Sequence, residues 1–85
     1  HVMKLDNLNT ALKLNGHLQT AISCIDLLND RRCMVEVVVR QNPDTWESIT
    51  LNDADTALLL PDLKTELLAV IEKRKLDVLN QINEL

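Results

Sequence analysis

A histidine and a cysteine seven residues apart are the first side chains in this sequence with a spacing that could do chemistry. His17 and Cys24 would share one face of a helix, since seven residues make nearly two full turns. A cysteine beside a histidine can act as a nucleophile with its base. Such a pair also needs a third group to orient the imidazole, and the spacing supplies none. A structural role is therefore favoured for both residues, and we predict no catalytic residue.

Metal and nucleotide chemistry are also disfavoured. His17, Cys24 and Cys33 lack the closely spaced ligand pairs of zinc sites. The chain has 1 glycine, too few for a phosphate-binding loop or a dinucleotide-binding turn. We therefore expect no enzyme, no metal and no cofactor.

Anion binding is the more open possibility. Guanidinium groups bind phosphate as two-pronged donors and stack on planar rings, and an aromatic side chain offers such a ring. The candidate ligand-binding residues are Arg31, Arg32, Arg40 and Trp46. The alternative is a solvated set of charges that also includes 73–75, paired with Glu72 and Asp77. The net charge of -4 argues against general nucleic-acid binding.

The elements that must position these residues can be read from periodicity. Apolar residues at spacings of three and four predict a helix over about 4–29, and β-branched residues with alternation predict a hairpin over about 33–51. A second helix is expected over about 54–84, with a break near Pro61. These elements predict a single α+β domain over 1–85, of order α-β-β-α, with two long helices packed on the hairpin. Gly16 is either tolerated in the first helix or marks a kink or a close helix crossing.

The hairpin register can be predicted from its apolar residues. Val35, Val37 and Val39 share a face, and Ile49 and Leu51 should join them, which requires an odd number of loop residues. A loop of three would pair Val37 with Ile49. It would also place Arg40 opposite Trp46, as a cation–π pair.

The chain offers more apolar surface than one copy can cover. It has 46% hydrophobic residues, and the C-terminal helix carries two apolar stripes, of which one partner helix covers one. We therefore expect a homo-oligomer. Its predicted interface comprises Met34, Val38, Trp46, Leu68, Ile71, Val78, Ile82 and Leu85.

The start of the chain bears on its compartment. His1-Val2 resembles an expression-tag remnant before a native Met3, and no apolar segment follows that would form a signal peptide or span a membrane. We expect a cytoplasmic protein in which Cys24 and Cys33 are free thiols.

Two segments carry a resemblance to a group of proteins. The opening "MKLDNLNTALKLNGHLQTAI" and the closing "LPDLKTELLAVIEKRKLDVLNQINEL", with its central Arg/Lys cluster, resemble small accessory proteins of tailed phages and prophages. That resemblance implies a phage-encoded factor that inhibits host defence, in the cytoplasm of the host bacterium, by binding a host protein or sequestering a nucleotide signal. Two alternatives are a structural subunit of the particle, similar to head-completion proteins, and an antitoxin-like or regulatory interaction module.

Overall fold

The structure is a computed structural model that describes residues 4–42, 44 and 47–85. Its elements are α1 (Leu5–Leu28), β1 (Val37–Arg40), β2 (Ser48–Leu51), α2 (Asp53–Leu59) and α3 (Leu63–Asn83). The predicted α+β class is confirmed, and the second helix of the prediction is divided in two around Pro61. The proposed tag remnant and Trp46 lie outside the described residues.

The helix α1 is continuous through Gly16. A Cβ atom added at Gly16 would meet nothing within 4 Å apart from its chain neighbours and the backbone of its own helix. This glycine therefore neither breaks the helix nor marks a close helix crossing within the chain.

The two long helices pack on each other along their whole overlap. Lys64, at the start of α3, donates from Nζ to the carbonyl of Cys33 at 2.8 Å, just beyond the end of α1. The helices therefore run antiparallel. On each helix a set of half-buried or buried residues recurs at alternating spacings of four and three, the pattern of a coiled-coil seam. In α1 this set is Asn7, Ala11, Leu14, Leu18, Ala21, Ile25 and Leu28; in α3 and just beyond it the set is Lys64, Leu68, Ile71, Lys75, Val78, Ile82 and Leu85. Six further residues of the two helices are half-buried beside this seam: Ile22, Cys24, Leu63, Leu67, Asp77 and Leu79.

This seam includes part of the predicted oligomer interface, in side chains that are half-buried and not fully covered within the chain. Five residues that we assigned to contacts with another subunit lie on the α3 face that packs against α1: Leu68, Ile71, Val78, Ile82 and Leu85. Of the other stripe, Leu60 and Val70 at its ends are exposed, whereas Leu63 and Leu67 between them are half-buried. Hydrophobic periodicity reveals both stripes, but it does not tell which of them the partner helix covers.

The hairpin has the predicted faces and a different register. Val37 pairs with Leu51 and Val39 with Ile49, so these four residues share one face as expected. The predicted pairing of Val37 with Ile49 is wrong by two residues. Arg40 lies opposite Ser48, and the predicted cation–π partner Trp46 is outside the described residues. The connection spans 41–47, an odd number of residues as the shared face requires, but longer than the loop of three.

The sequence predicts that the hairpin packs on the two long helices, and the structure differs from this prediction. Its main helical contact is between β2 and the short α2. The connection before β1 is held by Thr56 of α2, whose hydroxyl donates to the carbonyl of Val35 at 3.2 Å. The base of the apolar face is half-buried, whereas Val39 and Ile49 nearer the tip are 55% and 66% exposed.

The short helix α2 begins at a capping box. The side chain of Asn52 accepts from the backbone N–H of Asp55 at 2.9 Å, and the Asp55 carboxylate accepts from the N–H of Asn52 at 3.3 Å. The N-cap of α2 is therefore Asn52. This cap fixes where β2 ends and α2 turns back toward Val35.

Candidate functional site

The two residues considered for catalysis, His17 and Cys24, both lie on α1 and differ in exposure. His17 is exposed and Cys24 is half-buried on α1. Cys24 and Cys33 are both free thiols. Within the part of the chain that the structure describes, no group of three His, Cys, Asp or Glu side chains could hold a metal ion.

A compact polar turn follows α1 and uses one of the candidate arginines. The Asp30 carboxylate accepts from the backbone N–H of Arg32 at 2.8 Å and from its guanidinium at 3.3 and 3.2 Å. These side-chain and backbone hydrogen bonds lower the pKa of Asp30, and the nearby ammonium of Lys64 acts in the same direction. The guanidinium of Arg32 is therefore already matched by a carboxylate of its own chain.

Among the described residues, the candidate ligands Arg32 and Arg40 line separate grooves. Arg40 lines an open groove of about 480 Å³ at the hairpin, together with Val39 and Ile49. Arg32 lines another of about 430 Å³, together with Leu27 and Met34. Arg31 is exposed, and Trp46, the aromatic partner expected for these arginines, lies outside the described residues.

The basic cluster of α3 is partly paired within its own helix. Arg74 donates to the Asp77 carboxylate at 3.3 Å. Lys75 is half-buried along the α1–α3 seam. For these residues the geometry fits the solvated-charge alternative better than an anion site.

Exposed apolar side chains are the main feature of the surface. Met34 and Val38, two residues of the predicted interface, are both exposed, as is Leu27 beside Met34. Sequence reasoning did not assign the other large exposed residues to the interface: Leu5, Leu8, Leu12, Leu58, Leu59, Leu60, Val70, Leu76, Val39 and Ile49. One signal could have found some of them. Leu58 to Leu60 are three consecutive leucines before a proline, and no single helical face can bury three consecutive residues.

The whole molecule is flat and open. Its extents are 52 × 34 × 16 Å, and its radius of gyration is 16.9 Å. A compact domain of this length has a radius of gyration of about 12 Å. Among the described residues, only Leu18 forms a buried apolar core, at 9% exposure. Such a molecule is about one helix layer thick.

The accessible surface area also shows that the chain is less compact than a typical monomer of its mass. The chain exposes 7150 Å². A folded monomer of 9.6 kDa exposes about 5100 Å². The excess is about 2000 Å², within the roughly 1000–2500 Å² that each chain buries in an obligate homodimer.

None of the helices in the described residues is both long and apolar enough to cross a lipid bilayer. No family model, no curated protein and no solved structure matches this chain.

Proposed function

We propose that this chain is a non-enzymatic binding protein that works as a homo-oligomer. The observation that supports this proposal best is the excess of about 2000 Å² of accessible surface over a compact monomer of equal mass. Leucine, valine, isoleucine and methionine side chains are among those exposed on that surface. Contiguous exposed apolar patches are typical of protein interfaces.

The resemblance to phage accessory proteins adds a biological setting to this proposal. In that setting the oligomer acts in the cytoplasm of the host bacterium and inhibits a defence system by occupying one of its components. Of the two partners implied, a host protein fits the geometry better than a nucleotide. The guanidinium of Arg32 is matched by Asp30, and Arg32 and Arg40 line separate open grooves.

Sedimentation equilibrium tests the oligomer directly. At micromolar concentration we expect a mass that is a whole multiple of 9.6 kDa. A single species at the mass of one chain would refute the proposal.

The choice between protein and nucleotide is tested by calorimetric titration of the wild-type oligomer with ATP and with inorganic phosphate. We expect no saturable binding below millimolar concentration. Tight binding that is lost on Arg40→Ala would favour the nucleotide alternative, and Lys73→Ala is the control for loss of one exposed cation elsewhere.

A further inference from the structure

We propose that two copies of this chain join through the outer edges of their β1 strands, forming a four-stranded antiparallel sheet across a two-fold axis at Val38. This inference rests on the proposed homo-oligomer and names the surface that would form it.

The hairpin is an incomplete structure in the single chain. Its sheet has two strands of four residues each, and no third strand pairs with it among the described residues. An isolated two-stranded hairpin is marginal in water. Every second residue of an edge strand turns its N–H and C=O away from its partner, and these groups are a template for another strand. The outer edge of β1 can therefore form backbone hydrogen bonds with another strand.

The side chains around β1 are unusual for a strand open to solvent. Antiparallel strands with one wet face normally alternate apolar and polar residues. Here Val37, Val38 and Val39 are consecutive, and Val38 and Val39 are exposed on opposite faces. A neighbouring strand at this edge would therefore bury apolar side chains on both faces of the sheet.

The charges flanking Val38 point to a second copy as that neighbour. Arg40 lies on the face of Val38. Glu36 comes just before β1, and extending the strand by one residue places it on the same face, about 13 Å from Arg40. They are too far apart to pair within one chain, and neither forms an ion pair among the described residues. In an antiparallel pairing centred on Val38, Glu36 of each copy lies directly opposite Arg40 of the other. Opposite charges in that position stabilise a sheet.

The same register matches the remaining residues of the strand. Val37 of each copy faces Val39 of the other, so the apolar faces of the two hairpins become one continuous face. The edge of β2 offers no comparable match, because 47–52 contains no basic residue. An isologous pairing of this kind also closes on itself, which limits further growth.

Charge exchange in the full chain tests this pairing. Glu36→Arg or Arg40→Glu alone turns two attractive cross-strand pairs into two repulsive ones, so we expect the dissociation constant to rise at least about tenfold. The double variant Glu36→Arg/Arg40→Glu should restore it to within about threefold of wild type. Lys73→Glu, which reverses an exposed charge on α3, should have no such effect.

Mixing the two single variants gives a second readout that loss of folding cannot imitate. A dimer with one copy of each regains both attractive pairs, so native mass spectrometry of an equimolar mixture should show mostly mixed dimers. A statistical mixture, or equal dissociation constants across all variants of an oligomeric protein, would overturn the β1 pairing alone. A monomeric wild-type protein would overturn both this pairing and the proposed homo-oligomer.

Discussion

At the scale of single residues, one buried threonine joins two parts of the fold through its hydroxyl group. Thr56 is 6% exposed, and its hydroxyl lies 3.0–3.2 Å from three carbonyl oxygens. Two of these belong to the start of its own helix, and the third belongs to Val35 before β1. The hydroxyl therefore connects α2 to the hairpin across 21 residues of sequence.

Replacing Thr56 with valine tests that connection. Thr56→Val keeps the shape of the side chain and leaves the Val35 carbonyl without this donor, so we expect a loss of about 1–2 kcal/mol in the free energy of unfolding. Thr10→Val is the matched control, because the Thr10 hydroxyl is exposed and donates only within α1, to Asp6. Urea denaturation measures both. Equal losses would show that the Val35 contact adds nothing.

Asp30 predicts how the stability depends on pH. Its pKa in the folded chain lies below the unfolded value of about 3.9, because Arg32 donates hydrogen bonds to the ionised form. The carboxylate therefore stabilises the fold above pH 4, and this contribution is lost as the pH falls through the folded pKa.

The variant Asp30→Asn should consequently be less stable than wild type at pH 7, and the difference should shrink as the pH falls through the folded pKa of Asp30. Urea denaturation at several pH values measures this difference, with the exposed Glu72→Gln as control. A difference that is independent of pH would contradict the assignment to Arg32.

At the scale of elements, much of the structure could be predicted and the packing could not. The bounds of α1, the cap at Asn52, the break near Pro61 and the shared face of Val37 with Leu51 all follow from local chemistry. The hairpin register does not, because several loops with an odd number of residues satisfy the same alternation. Which of the two apolar stripes of α3 packs against α1 depends on how the two helices cross. A local sequence pattern does not determine that crossing.

The candidate site was predictable to a smaller extent. Exposed apolar residues were expected, and Met34 and Val38 are among them. The predicted role of Arg32 did not take account of Asp30, two residues earlier, which accepts hydrogen bonds from both its backbone and its guanidinium. Such a short-range turn is visible in sequence only as an aspartate near an arginine, a pattern too common to be informative.

Gly16 gives a prediction for α1 as an element. Glycine inside a helix costs about 0.5–1 kcal/mol relative to alanine, and the space around Gly16 is open in the single chain. We expect Gly16→Ala to raise the free energy of unfolding by that amount, measured by urea denaturation. Ser23→Ala, at another exposed position of α1, should give a smaller gain. A loss of stability at Gly16 would mean that another chain packs against this face of α1.

At the scale of the whole molecule, the shape and the surface area differ from those of a compact monomer and support the proposed homo-oligomer. A chain with one buried apolar residue among those described, and with about 2000 Å² of excess surface, has little internal packing to stabilise it. Association would supply the missing burial. Its folding should then be inseparable from its concentration.

Thermal unfolding as a function of concentration tests this coupling of folding to assembly. If a dimer unfolds to two separate chains, mass action favours the folded state at high concentration. For 85 residues per chain, a hundredfold increase in protein concentration should raise the unfolding midpoint by roughly 5–10 °C. Circular dichroism at 1 and 100 µM is sufficient to measure such a shift. A midpoint that does not move would show that each chain folds alone, and the exposed leucines and valines would then need an explanation other than self-association.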